Sequence, residues 1–167
     1  MKKNILFALL CMLPLLIGCS SSDDVSDIFV GKTWRFNYIA KGGKNTTWYN
    51  FADVTQDNIQ QYTNRTKTFT VSFSGLQSGD LISGTFSGSG SLSAGGKWSA
   101  NGHSGTFTTS EVWGDPNDTN DMVAQKIVYG LTNAKSYAGD TNGNLFIYFD
   151  YEGTTLLMGF SQYTSNN

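Results

Sequence analysis

Residues 82–98 read ISGTFSGSGSLSAGGKW, and the parity of this run decides the fold. Successive side chains of an extended chain point to opposite faces, so Ile82, Gly84, Phe86, Gly88 and Gly90 share one side. Ser83, Thr85, Ser87 and Ser89 share the other. Glycines that recur on an apolar, inward face have two physical explanations: the sheet curves sharply there, or large aromatic rings cross over them from a neighbouring strand. Low complexity is the rival reading, but Ile82, Phe86, Leu92 and Trp98 recur too regularly for a disordered tract.

Strands extend outward from this ladder in both directions. Before it, Phe69, Val71 and Phe73 alternate with Thr70 and Ser72. Earlier still, Trp34, Phe36 and Tyr38 alternate with Thr33, Arg35 and Asn37, and Gly42-Gly43 ends that run. After the ladder come Phe107 to Trp113 behind an Asn101-Gly102 turn, then Ser136 to Ala138, Leu145 to Tyr151 and Thr155 to Phe160. Asn142-Gly143 and Glu152-Gly153 supply the last turns. Residues 44–66 lose periodicity and read as an insertion. Trp48, Tyr49, Phe51, Ile59 and Tyr62 bind it to the domain, with a short helix near Val54 to Tyr62.

Met122, Val123, Ile127, Val128 and Leu131 recur at helical spacing. The preceding GDPNDTND, residues 114–121, raises the question of a calcium loop. Counted from Asp115, Asn117 suits the third position of an EF-hand loop, but Asn120 stands where glycine is needed and Lys126 where a bidentate glutamate is needed. Asp118 or Asn120 as N-cap, with acidic residues at the positive end of the helix dipole, explains the stretch as a helix start. No metal site and no cofactor are expected.

Gly31-Lys32-Thr33-Trp34, the ISGTFSGSG run at 82–90 and VAQKIVYGLTNAKSYAGDTNGNLFIYF at 123–149 together resemble the META domain family, which includes small heat-shock-associated bacterial lipoproteins. The resemblance covers most of the chain after residue 28. It implies a mainly β fold and a non-catalytic envelope role, without naming a ligand. The Gly-Cys-Asn element of that family is absent, since residues 84–88 read GTFSG. A lipocalin-like barrel is the alternative, although Gly31 and Trp34 are separated by two residues where such chains usually have one.

The N-terminus speaks of location. Lys2 and Lys3 precede an apolar run from Ile5 to Leu16, as in a signal peptide. Leu16-Ile17-Gly18-Cys19 resembles the bacterial lipobox, so residues 1–18 are expected to leave and Cys19 to carry the lipid. Residues 19–27 are expected to form a flexible acidic tether. Asp23 and Asp24 read either as a solvated spacer or as an acidic surface-export signal. Ser20 after the cysteine favours an outer-membrane destination.

The chain has 167 residues and formal net charge −2, which becomes −4 once Lys2 and Lys3 leave. Such a surface disfavours nucleic acid. Cys11 leaves with the signal and Cys19 is acylated, so no disulfide holds the domain. Its stability must come from burial, and aromatics at 14% supply the area.

No catalytic set assembles. His103, the only histidine, sits at a glycine-flanked hairpin tip, the opposite of the rigid setting a Ser-His-Asp triad needs. Glu111 with Asp115, and Asp150 with Glu152, read as solvated strand faces. Trp48, Trp98 and Trp113 lie beside glycine- or asparagine-rich turns, where sugar-binding proteins place flat rings, and they are the candidate ligand contacts.

The expectation is thus a mainly β (α+β) domain over 28–167: a curved antiparallel sheet or partly open barrel, with one helix near 120–131 covering it. Trp34, Phe36, Phe69, Phe73, Ile127, Leu131, Ile147 and Phe149 are its expected core. The expected role is a lipid-anchored, non-enzymatic binding or scaffold protein of the outer membrane, periplasmic or surface-exposed. Its partners are the membrane, through the lipid, and a protein or glycan. A carrier of a small apolar ligand and a carbohydrate-binding surface module are the alternatives.

Overall fold

A computed structural model describes residues 22–43, 46–139 and 143–164, with side chains from residue 25. The expected signal peptide, Cys19 and Asn142 lie outside the described residues. Eight antiparallel strands follow one another around a closed barrel. They are β1 (Thr33–Lys41), β2 (Phe69–Ser78), β3 (Leu81–Gly90), β4 (Leu92–Asn101), β5 (Thr106–Pro116), β6 (Ala134–Gly139), β7 (Asn144–Tyr151) and β8 (Thr154–Gln162). Each pairs with its neighbours in sequence, and β8 returns to β1 from Trp34↔Gln162 to Lys41↔Leu156. The sheet is therefore mainly β, as expected, and closed rather than partly open.

Both explanations offered for the glycine ladder hold at once. Gly75 and Gly84 face each other across β2 and β3, and a Cβ on Gly84 would lie 1.9 Å from the Ser74 carbonyl oxygen. The strands bend so tightly there that only glycine fits. Rings also cross the gaps. A Cβ on Gly75 would meet the Trp98 ring at 3.1 Å, one on Gly88 the Phe69 ring at 2.4 Å, and one on Gly96 the Phe86 ring at 2.9 Å. Small residues opposite large ones fill an eight-stranded barrel with side chains. All eight expected core residues are buried.

One end of the barrel is closed by a helix where a tether was expected. Helix α1 (Ser22–Phe29) includes residues 22–27. Val25 and Phe29, one turn apart, are buried. The Phe29 ring sits among Phe73, Trp98, Phe107 and Tyr137 at centroid distances of 5.0–5.2 Å. Val30 then bridges to Phe73 in parallel. Burying this apolar stripe outweighs the acidic composition that pointed to a solvated spacer. The domain thus begins before residue 28.

The opposite end carries helices α2 (Gln56–Thr63) and α3 (Met122–Thr132), where the short helix near Val54 to Tyr62 and the covering helix near 120–131 were expected, so α1 is the unexpected one among the described residues. Helix α2 has a Thr55/Asn58 capping box and buries Ile59 and Tyr62. It fastens residues 46–66 of the expected insertion to the barrel, together with buried Phe51 and Val54. Lys126 of α3 reaches the same segment. Its ammonium lies 2.7 Å from Asp53 and within 5.3 Å of the Phe51 and Tyr151 ring centroids. Helix α3 also completes the wall, because β5 and β6 share only the pair Thr106↔Ser136. Thr109 donates to the Leu131 carbonyl, and Val128 packs on Gly114, so the helix covers the open edge of β5.

Two outcomes test this packing. Gly84→Ala should destabilise the domain by about 3 kcal/mol, because its methyl meets backbone rather than a movable side chain. Gly139→Ala, whose nearest neighbour would be 3.6 Å away, should stay within about 0.5 kcal/mol of wild type. Urea midpoints of the two variants compare them directly. Phe29→Ala should cost about 3–5 kcal/mol in the same assay, as a buried phenylalanine does and a residue beside a loose spacer does not.

Candidate functional site

The outer face of β2–β5 is a grid whose rows follow from strand register. One row runs Ser72, Ser87, Gly95, Trp113; the next Ser74, Thr85, Lys97, Ser110; the third Leu76, Ser83, Ser99, Thr108. Hydroxyls dominate it, and adjacent ones bond across the strands: Ser74 to Thr85 at 3.0 Å and Ser99 to Thr108 at 2.9 Å. A shallow depression of about 490 Å³ is lined here by Ser83, Thr85, Lys97, Ser99, Thr108 and Ser110.

Trp113 closes one side of the grid, and simple alternation does not put it there. It shares parity with buried Phe107, so an unbroken β5 would turn it inward. The register shifts between Gly95 and Lys97, and Glu111 opposite the shift has φ 53. This β-bulge adds one residue to β5 and re-aims everything beyond it. The indole consequently lies over Gly95 on the outside. A Cβ on Gly95 would meet Cε2, Cζ2 and Nε1 together at 2.8 Å, a face-on approach. The ring is 55% exposed. Lys97 and Glu111 form an ion pair of 2.5 Å within the same rows.

The other two candidate tryptophans serve packing. Trp98 is buried, and its indole N–H donates to the Ser74 carbonyl at 3.0 Å. Trp48 is half-buried, bridges to Ala40 and meets Phe36 edge-on at 5.9 Å. The structure does not bring the three together. His103 occupies an Asx turn, with its backbone N–H and that of Ser104 donating to Asn101 Oδ1. Asp150 is exposed near the end of β7 and tied to Lys135 and Thr155, and these bonds hold its carboxyl below the usual carboxylate range.

The carboxylates of 114–121 have structural partners. The N-cap of α3 is Asp121, not Asp118 or Asn120, and its Oδ1 accepts from the Ala124 N–H. Asp121 is only 1% exposed. Its second oxygen accepts from the Tyr62 hydroxyl at 3.1 Å and lies 2.9 Å from the Lys67 ammonium. Burial, then the Asp121 charge, pushes the Tyr62 phenol far above its ordinary value. Burial alone would lower Lys67, but its bonds to Asp121 and Asp118 outweigh that and raise it. Asp118 accepts from the Asn120 N–H and from Lys67, and both hold its carboxyl low. This knot joins α2, the start of β2 and α3.

Fold and surface together define a small up-and-down β-barrel domain with a ring-filled interior and a hydroxyl-rich outer face. The chain belongs to the family described as domain of unknown function DUF4847, whose model matches residues 20–162. That span contains all three helices and all eight strands. The match is to this family rather than to the META domain. No curated protein matches the chain.

Proposed function

We propose that the protein is a lipid-anchored, non-catalytic binding module of the bacterial outer membrane that takes a glycan on its outer face at Trp113. The observation that carries this reading is the half-exposed indole lying face-on over Gly95, beside Lys97, Glu111 and the hydroxyl rows. A sugar ring offers an apolar C–H face to such a platform and hydroxyls to its surroundings, so a few placed polar groups suffice for orientation. No carboxylate of this face is held in a water-excluded cleft, as a glycosidase acid would need to be. Glu111 is neutralised by Lys97 in the open.

The anchor rests on Leu16-Ile17-Gly18-Cys19, and the family match beginning at residue 20 supports it, because the domain then starts directly after the acylated cysteine. Distant kinship with META lipoproteins, on the segments quoted above, fits the same placement. Asp23 and Asp24 would direct the protein to the cell surface if they act as an export signal.

A carrier of a small apolar ligand is the second reading. The closed up-and-down topology favours it, since such barrels hold ligands inside. Phe29 and its four aromatic neighbours occupy that interior here, which weighs toward the outer face.

Titration with soluble oligosaccharides should give saturable binding that Trp113→Ala weakens about tenfold or more, a loss of about 1.4 kcal/mol. An apolar fluorescent probe that binds stoichiometrically, unaffected by Trp113→Ala, would instead favour the carrier. For the anchor, wild type should incorporate labelled palmitate, and Cys19→Ala should release a soluble domain with the same fold. Membrane retention of Cys19→Ala would remove the anchor from this reading.

A further inference from the structure

Resting on the proposed acylation of Cys19, we infer that the barrel sits end-on against the bilayer, with the β2–β3 hairpin pressing Leu76 and Leu81 into the lipid interface. The argument begins with where α1 enters. Phe29 packs on Phe73, Trp98, Phe107 and Tyr137, and Val30 bridges to Phe73 at the start of β1. By the antiparallel registers, this end also holds the β2–β3 and β4–β5 hairpins.

Chain length then fixes how far that end can stand from the acyl chains. Cys19 precedes Ser22 by three residues, at most about 11 Å of chain. Ser22 precedes Val25 by three helical residues, about 4.5 Å more. Val25 is buried on the barrel, so at most about 15 Å can separate Cys19 from the folded end. A lipid headgroup layer is about 5–8 Å deep. Chain length therefore holds the barrel end within about 10 Å of the headgroups, and the surface it presents decides whether it touches them.

The surface at this end is suited to such contact. Leu76 is 84% exposed and Leu81 45% exposed, and they are the only large aliphatic side chains so exposed among the described residues. The pairs Leu76↔Ser83 and Ser78↔Leu81 make them diagonal neighbours on one face of the hairpin. The hairpin also runs past the start of β1. Ser72 already pairs with Thr33, the first residue of β1, so six further residues of β2, about 20 Å of strand, run past it. Tyr163 is exposed at the same end, its N–H bonded to the Thr33 carbonyl and its ring under Arg35. Tyrosine is enriched at headgroup depth. Exposed Asp27 and Asp80 also lie at this end, as do Lys32 and His103. Attraction to anionic lipid is therefore not the driving force, and the contact is apolar.

The test uses acylated full chain in phosphatidylcholine vesicles, with an NBD fluorophore on Leu76→Cys, Leu81→Cys or, at the far end, Glu152→Cys. Probes at 76 and 81 should brighten several-fold on reconstitution and be quenched by spin-labelled lipid, at high salt as at low. The probe at 152 should do neither. If the protein stays on the vesicles while probes at 76 and 81 remain as wet as the one at 152, the inference is overturned and the anchor reading survives. If wild type carries no acyl group and does not float with vesicles, the anchor reading fails and the inference falls with it. Soluble Cys19→Ala protein should sediment as a monomer. A dimer that Leu76→Ser dissociates would assign the leucines to a second copy and overturn the inference.

Discussion

The barrel depends on one kind of contact, a ring laid across a glycine of a neighbouring or next-but-one strand. Phe69 over Gly88, Phe86 over Gly96 and Trp98 over Gly75 fill an interior that side chains of uniform size could not fill. At Gly84 the backbones themselves approach so closely that any Cβ would strike the Ser74 carbonyl. That approach bends β2 and β3 around the core and lets eight short strands close without a disulfide. Phe29 follows from the same geometry. The end of the barrel is lined by aromatic edges and faces, and α1 brings in one more ring to complete them.

Much of this is legible in the sequence. The common parity of Ile82, Gly84, Phe86 and Gly88 gave both curvature and ring crossing. Every expected strand is present, and Asn101-Gly102 and Glu152-Gly153 turn where expected, the latter with positive φ at both residues. Helix α1 is hidden by the small, acidic composition of residues 20–27. Its signal lies in spacing: Val25, Ile28 and Phe29 form an i, i+3, i+4 stripe behind a serine and two aspartates suited to a helix N-terminus. Closure escaped for a different reason, since pairing β8 with β1 joins residues far apart in sequence and leaves no local mark.

The candidate surface was legible only in part. Trp113 was named for its setting beside a turn, yet its outward direction comes from the bulge at Glu111. A bulge at a non-glycine residue has little sequence signature. Trp98 was named on the same ground and lies in the core, because no bulge intervenes between it and Ala94 to reverse its face. The sequence offers Asp118 or Asn120 as N-cap, and the structure uses Asp121. What selects it is tertiary: Tyr62 and Lys67 arrive from distant parts of the chain to complete its hydrogen bonds.

The single residue pair between β5 and β6 has a bearing on how the chain folds. Strands β2 to β5 form one meander of sequential hairpins, and β6 to β8 form another. Each can assemble from contacts close in sequence, whereas β1 to β8 must close a loop of more than a hundred residues. By sequence separation the sheet is thus two meanders, with α3 as the clasp along one join and β1, paired more extensively with β8 than with β2, along the other. Opening free energy is unequal across such a structure. The clasped join holds little backbone hydrogen bonding of its own, so amide exchange should enter the barrel there before it reaches the glycine-rich sheet.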